Sequence, residues 1–158
     1  PKPFTPFQWA AQITPEEYLR RVHLLQSCLT ARGVDYRYHE SDLSRLEAVL
    51  ARGDRRLSRV LLRAHELGCK LDGWDEYFRY DLWLQAFSDC GVDPDFYTTR
   101  GFAEDEILPW QTMDVGVSRA FFLRERALAY QSVTTPDCRT KCAGCGARAL
   151  SERGVCDE

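Results

Sequence analysis

Apolar residues recur along this chain at helical spacing, in runs that stop at Gly33, Gly53, Gly68 and Gly91. Thr14-Pro15-Glu16-Glu17 has the form of a helix start, with Thr as N-cap, Pro in the first helical position and Glu in the third. Tyr18, Val22, Leu25 and Leu29 then predict a helix over about 15–32, with Gly33 as its stop. Ser41 caps a helix over about 42–52 that turns Leu43, Leu46, Val49 and Leu50 inward before Gly53. Asp54 caps the next, about 55–67, with an inward stripe of Leu57, Val60, Leu61, Ala64 and Leu67. After a turn at Asp72-Gly73, a helix over about 75–90 carries Tyr77, Phe78, Tyr80, Trp83 and Phe87, whose helical spacing marks them as core rather than as a base-stacking platform. Ser118 caps a last helix over about 119–131, with Phe121, Phe122, Leu128 and Tyr130 available for packing.

The segments between are less regular. Residues 1–13 hold prolines at 1, 3 and 6, which forbid a helix and favour an extended or polyproline path. Phe4, Phe7 and Trp9 need burial, so this arm either docks on the chain's own helices or completes a neighbouring domain. Val34 to His39 alternates and is rich in tyrosine, which predicts a short strand. Residues 92–117 lack a period but are too apolar for a free linker, so an irregular, packed stretch is expected. The fold class is mainly α, with one or two short strands and an irregular cysteine-rich tail. The divisions expected are 1–40, 41–132 and 133–158.

Composition narrows the classes. A chain of 158 residues is long enough for one domain with a real core, and its hydrophobic share of 44% is ordinary. A formal net charge of -3 argues against a general polyanion binder. No run of eighteen apolar residues and no signal-peptide pattern occurs, so neither a membrane span nor secretion is expected. The chain opens on Pro1 and its one methionine is Met113, from which a piece of a longer protein is expected. Seven cysteines, an odd number with four in the tail, do not resemble a secreted disulfide scaffold. A thiolate metal site in the reducing cytoplasm fits them better.

That site is placed by Cys138, Cys142 and Cys145 at C-x3-C-x2-C spacing, with Cys156 after ten more residues. Three thiols so close can converge without long-range folding, and Gly144 and Gly146 let the backbone bend around what they hold. Four cysteines suit a structural zinc ion, for which C-x2-C is a usual half-site. They equally suit an iron–sulfur cubane with three close ligands and one remote. If Cys156 is no ligand, one iron would stay open. The third reading is unligated thiols in a frayed tail.

Arg52, Arg55, Arg56 and Arg59, with Arg45 and Arg63 nearby, form a basic cluster suited to phosphate or carboxylate contact. Glu47, Asp54 and Glu66 dilute it, so a solvated helix face competes with an RNA or substrate contact. His23, His39 and His65 have no metal spacing, and His65-Glu66 lacks the second His of a zinc-protease helix. No phosphate loop and no nucleophile elbow is present. The chain does not read as a self-sufficient enzyme.

Several islands together resemble one family. They are Pro1-Lys-Pro-Phe-Thr-Pro-Phe-Gln-Trp9, the stretch from Glu47 to Leu57, Gly68-Cys-Lys-Leu-Asp-Gly-Trp-Asp-Glu-Tyr-Phe78, Glu106-Ile-Leu-Pro-Trp110, Asp114-Val-Gly-Val-Ser118 and Thr135-Pro-Asp-Cys-Arg139. In order, they look like the C-terminal portion of an uncharacterised group of bacterial radical SAM proteins. The resemblance implies an upstream cobalamin-binding-like domain and a radical SAM barrel as the partner of this chain. It also implies that S-adenosylmethionine, the catalytic [4Fe–4S] cluster and any cobalamin bind upstream of residue 1. Residues 1–40 would then be the residual end of an α/β barrel, and the rest a helical extension.

The tail shares its spacing with catalytic clusters of that family, but Gly144 stands where an aromatic residue is usual and only thirteen residues follow Cys145. An auxiliary iron–sulfur cluster is therefore the expected cargo. The reading from a different class is a zinc-stapled helical module that recognises RNA or protein.

Overall fold

A computed structural model describes residues 1–147. Among these residues there are five α-helices and one 3₁₀ turn, at Pro94–Phe96, and the chain is mainly helical. The helices are α1 (Pro15–Cys28), α2 (Ser41–Arg52), α3 (Leu57–Leu67), α4 (Tyr80–Asp89) and α5 (Arg119–Tyr130). The chain falls into two compact units, one of residues 11–101 and one that joins residues 1–10 to the segment from 102 onward.

In the 11–101 unit, α1 starts as its sequence dictates: the Glu17 amide donates to the Thr14 hydroxyl at 3.3 Å, and Pro15 opens the helix. It stops at Cys28, short of the expected residue 32. Val22 is its one buried side chain, so no tertiary packing holds a further turn against its entropy. Gly33 serves a separate turn, with φ 82 and the Val34 amide on the Ala31 carbonyl at 3.3 Å. The strand expected over 34–39 does not form. Tyr36 and Tyr38 do stack their rings at 5.8 Å, but among the described residues no second segment pairs with this stretch. Without a ladder an alternating sequence stays an exposed extended chain.

The core of this unit gathers Leu46 and Val49 of α2, Leu57, Val60 and Ala64 of α3, and Trp83, Ala86 and Phe87 of α4. Gly53 ends α2 because of space rather than dihedral angle. A Cβ there would lie 1.9 Å from Leu57 Cδ1, while its φ of -76 is open to any residue. Gly68 ends α3 in the left-handed region at φ 104. The helix expected over 75–90 begins only at Tyr80, because residues 74–78 fold into tight turns after Asp72-Gly73. Trp74 and Tyr77 consequently lie on the surface, 59% and 51% exposed, whereas Trp83 and Phe87 are core as expected.

In the other unit, Trp9, Phe102, Leu108, Trp110 and Phe122 form the core. The proline-rich arm is not extended. It coils through two turns, with the Gln8 amide on the Thr5 carbonyl at 3.0 Å and the Ala10 amide on the Phe7 carbonyl at 2.9 Å. Buried Gln8 then accepts from Trp110 Nε1 at 2.7 Å, and the Trp9 carbonyl accepts from the Phe102 amide at 2.9 Å. The arm thus docks on its own chain. α5 is capped by Ser118, whose hydroxyl accepts from the Phe121 amide at 3.2 Å.

Candidate metal centre and the cavity beside it

The tail leaves α5 through Ser132, at φ 59, and runs back along the same helix. The Thr135 hydroxyl donates to the half-buried Glu125 carboxylate, and Arg124 donates to the Ala143 carbonyl. Asp137 then closes a single turn: the Thr140 amide donates to its carbonyl at 2.8 Å, and its carboxylate accepts from the Arg139 amide at 2.8 Å. The Arg139 guanidinium beside it holds the Asp137 carboxyl below its ordinary pKa. Cys138 sits on this turn, exposed to solvent.

Cys142 and Cys145 follow in a second turn with a repeated local geometry. The Gly144 amide donates to Cys142 Sγ and the Ala147 amide to Cys145 Sγ, both at 3.4 Å. Each sulfur therefore accepts an N–H from the residue two positions on, the kind of outer hydrogen bond that a metal-bound sulfur would keep. Gly144 and Gly146 supply the left-handed φ values of 66 and 99 that this requires. Gly146 has a second reason to be glycine, because a Cβ there would meet the Gly116 carbonyl oxygen at 2.9 Å. The Cys145 carbonyl accepts from the Ser118 amide at 2.8 Å, which fixes the turn at the N-terminus of α5.

Among the described residues, no three His, Cys, Asp or Glu side chains gather into a group that could hold a metal ion. Cys138, Cys142 and Cys145 thus lie close along the tail but are not drawn around one point, and Cys156 lies outside the described residues. None of the six described cysteines is in a disulfide. As donors the three thiols suit a soft metal or a cluster: Cys138 and Cys142 are exposed and Cys145 half-buried, all on short turns, and two already receive amide hydrogens.

The arginines predicted as an anion contact divide. Arg52 is fully buried, not on a helix surface, and donates to the Thr98 carbonyl at 3.3 Å. Burial, with Arg100 nearby, lowers its pKa to about 10. It is a structural residue that ties α2 to the segment after the 3₁₀ turn. Arg56 is paired with Asp54, with Nη2 at 2.6 Å, and its guanidinium lies over the Phe96 ring at 4.6 Å. Arg45 and Arg63 are likewise paired, with Asp95 and Asp89, each at 2.7 Å. Arg55 and Arg59 remain exposed, with no ion pair to a described residue. The helical face is mostly neutralised where it is not buried.

Sequence reading missed a cavity of about 310 Å³ in the unit that carries the tail. Trp9, Trp110 and Phe122 wall it, and Asp114, Ser118 and Arg119 line it as polar groups. Ser118 thus touches the cavity while its amide holds Cys145. The signal was the apolar but aperiodic stretch 102–117, whose partners at residues 4–9 lie too far away in sequence for a pattern to connect. No family model, curated protein or solved structure matches this chain.

Proposed function

We propose that this chain is the C-terminal part of a radical SAM enzyme and that Cys138, Cys142 and Cys145 bind an auxiliary iron–sulfur cluster. The observation that carries the metal reading is the paired N–H···S geometry at Cys142 and Cys145, anchored on the amide of Ser118. The anchor puts the Cys145 backbone at the positive end of the α5 dipole, which favours an anionic centre. The amides of Gly144 and Ala147 would stay hydrogen-bonded to the two sulfurs of a bound cluster and tune its potential. A cluster held there supplies electron transfer or an open iron for a substrate atom. In this reading the barrel, S-adenosylmethionine, the catalytic [4Fe–4S] cluster and any cobalamin belong upstream, and the protein is cytoplasmic. Among the described residues no helix is long and apolar enough to cross a membrane.

A zinc-stapled module is the second reading. It draws on the same C-x2-C turn and on the contacts by which the tail clasps α5. Zinc would then act as a staple, and Arg55 and Arg59 would carry any contact to RNA or protein. One experiment separates the two. Anaerobic reconstitution with iron and sulfide should give broad visible absorption that dithionite bleaches. Cys142→Ala should lose it, and Cys28→Ala, on α1, should keep it. Colourless protein with one zinc per chain would overturn the iron–sulfur assignment and favour the staple.

A further inference from the structure

The cavity beside α5 joins an aromatic floor to two opposite charges. Trp9, Trp110 and Phe122 give ring surfaces, while Asp114 and Arg119 line the same space from its exposed edge. Neither side chain forms an ion pair with the other or with any other described residue. Two opposite charges without an ion pair on one cavity lining are open to a ligand that carries both signs. Asp114 Oδ1 accepts from the Gly116 amide at 2.7 Å, in a turn where Gly116 has φ 72. Arg119 is the first residue of α5, set by the Ser118 cap.

A ligand that satisfies this lining needs a cation and an anion a few atoms apart, and a flat apolar body beneath them. We propose that the cavity binds a free aromatic α-amino acid. Its ammonium would face Asp114, its carboxylate Arg119 at the N-terminus of α5, and its ring the Trp110 and Phe122 walls. Glu106 is a second carboxylate on the lining, its Oε2 accepting from the Ala103 amide at 3.2 Å. The volume of about 310 Å³ is at the small end for ligand sites, which run from about 300 Å³ upward, so it suits an amino acid rather than a nucleotide. This inference holds whether or not the tail carries a metal.

The test is saturation-transfer NMR on the full chain with L-phenylalanine, titrated to give an affinity. Comparison ligands are phenethylamine, which lacks the carboxylate, 3-phenylpropionate, which lacks the ammonium, and L-alanine, which lacks the ring. L-Phenylalanine should bind best and L-alanine not at all. Asp114→Asn keeps the oxygen that accepts from Gly116 and removes only charge. It should weaken L-phenylalanine about threefold to fivefold and leave 3-phenylpropionate unchanged. Arg119→Gln should weaken L-phenylalanine similarly and leave phenethylamine unchanged. Both positions are exposed, so unchanged unfolding midpoints check that the fold is intact. Absence of transfer to millimolar L-phenylalanine overturns the proposal. So does binding that ignores either variant, or equal binding of the two singly charged ligands and the zwitterion.

Discussion

The Ser118 amide donates to the Cys145 carbonyl at 2.8 Å, while the Ser118 hydroxyl caps α5 by accepting from Phe121. One residue thereby starts the helix with its side chain and fastens the cysteine turn with its main chain. The position of Cys145 is set by the helix start rather than by the tail alone.

Gly146 is the tightest point of that attachment. Gly146→Ala places a methyl 2.9 Å from the Gly116 carbonyl oxygen and forces an L side chain to φ 99. A local cost of about 1–2 kcal/mol is expected for a left-handed residue. Hydrogen exchange at the Ser118 amide should quicken about tenfold, and metal retention by the tail should fall with it. Unchanged exchange would mean that the turn is not held there.

Arg52 and Arg59 should separate cleanly. Arg52→Ala empties a buried site and strips a donor from the Thr98 carbonyl, so a loss of about 3 kcal/mol in urea unfolding is expected. Arg59→Ala, on the exposed face of α3, should change stability by less than about 0.5 kcal/mol. If RNA or protein binds this face, Arg59→Ala should be the variant that weakens it.

Asp54 makes stability depend on acid pH. The Arg56 hydrogen bond, first among its causes, lowers its pKa to about 2, and the Tyr97 hydroxyl helps, donating at 3.1 Å. The folded value lies below the ordinary 3.8, so this contribution is complete above about pH 4 and is lost as pH falls toward 2. For a pair open to solvent it is worth about 1 kcal/mol after screening. Asp54→Asn should flatten the fall in urea midpoint between pH 4 and pH 2. A slope equal to that of the unaltered protein would assign the acid sensitivity to other carboxylates.

Gly53→Ala should destabilise through contact alone. The new methyl would fall 1.9 Å from Leu57 Cδ1 at a backbone φ of -76, which alanine accepts. A cost of about 1–3 kcal/mol is expected. In the Leu57→Ala background the same change should cost less but keep a share, because the methyl would still lie 2.8 Å from the Val49 carbonyl oxygen, and a double-mutant cycle measures the coupling. Additive costs would place the strain elsewhere.

Helix starts were legible at Thr14 with Val22 and at Ser118 with Phe122, whereas the caps expected at Ser41 and Asp54 did not form: α2 and α3 start behind Glu40 and Arg56 with no side-chain cap bond. Helix ends were less legible. α1 lost its last expected turn because exposed Leu25 and Leu29 found nothing to pack on, a fact about tertiary contacts that local periodicity does not contain. The same holds for residues 34–39, which alternate like a strand but have no partner. The tail cysteines were legible as a set from spacing, whereas their attachment to Ser118 and Gly116 was not, since it depends on a chain reversal after Ser132. Arg52 looked like its neighbours in sequence, and only the close approach of Thr98 makes it an interior residue.

The two-part composition of the unit built on Trp9 and Phe102 bears on how the chain reaches its folded state. Its halves are separated by all of residues 11–101, so joining them unaided means closing a long loop, an entropic toll that grows with the logarithm of loop length. The intervening unit removes most of that toll once it has formed. Its Gln12 amide bonds the Thr98 carbonyl at 2.9 Å, so its first and last residues leave side by side. The bond from the Phe102 amide to the Trp9 carbonyl then spans only a few free residues. Closing the aromatic core that supports the cysteine turn therefore costs less loop entropy after the inserted unit has formed than before it.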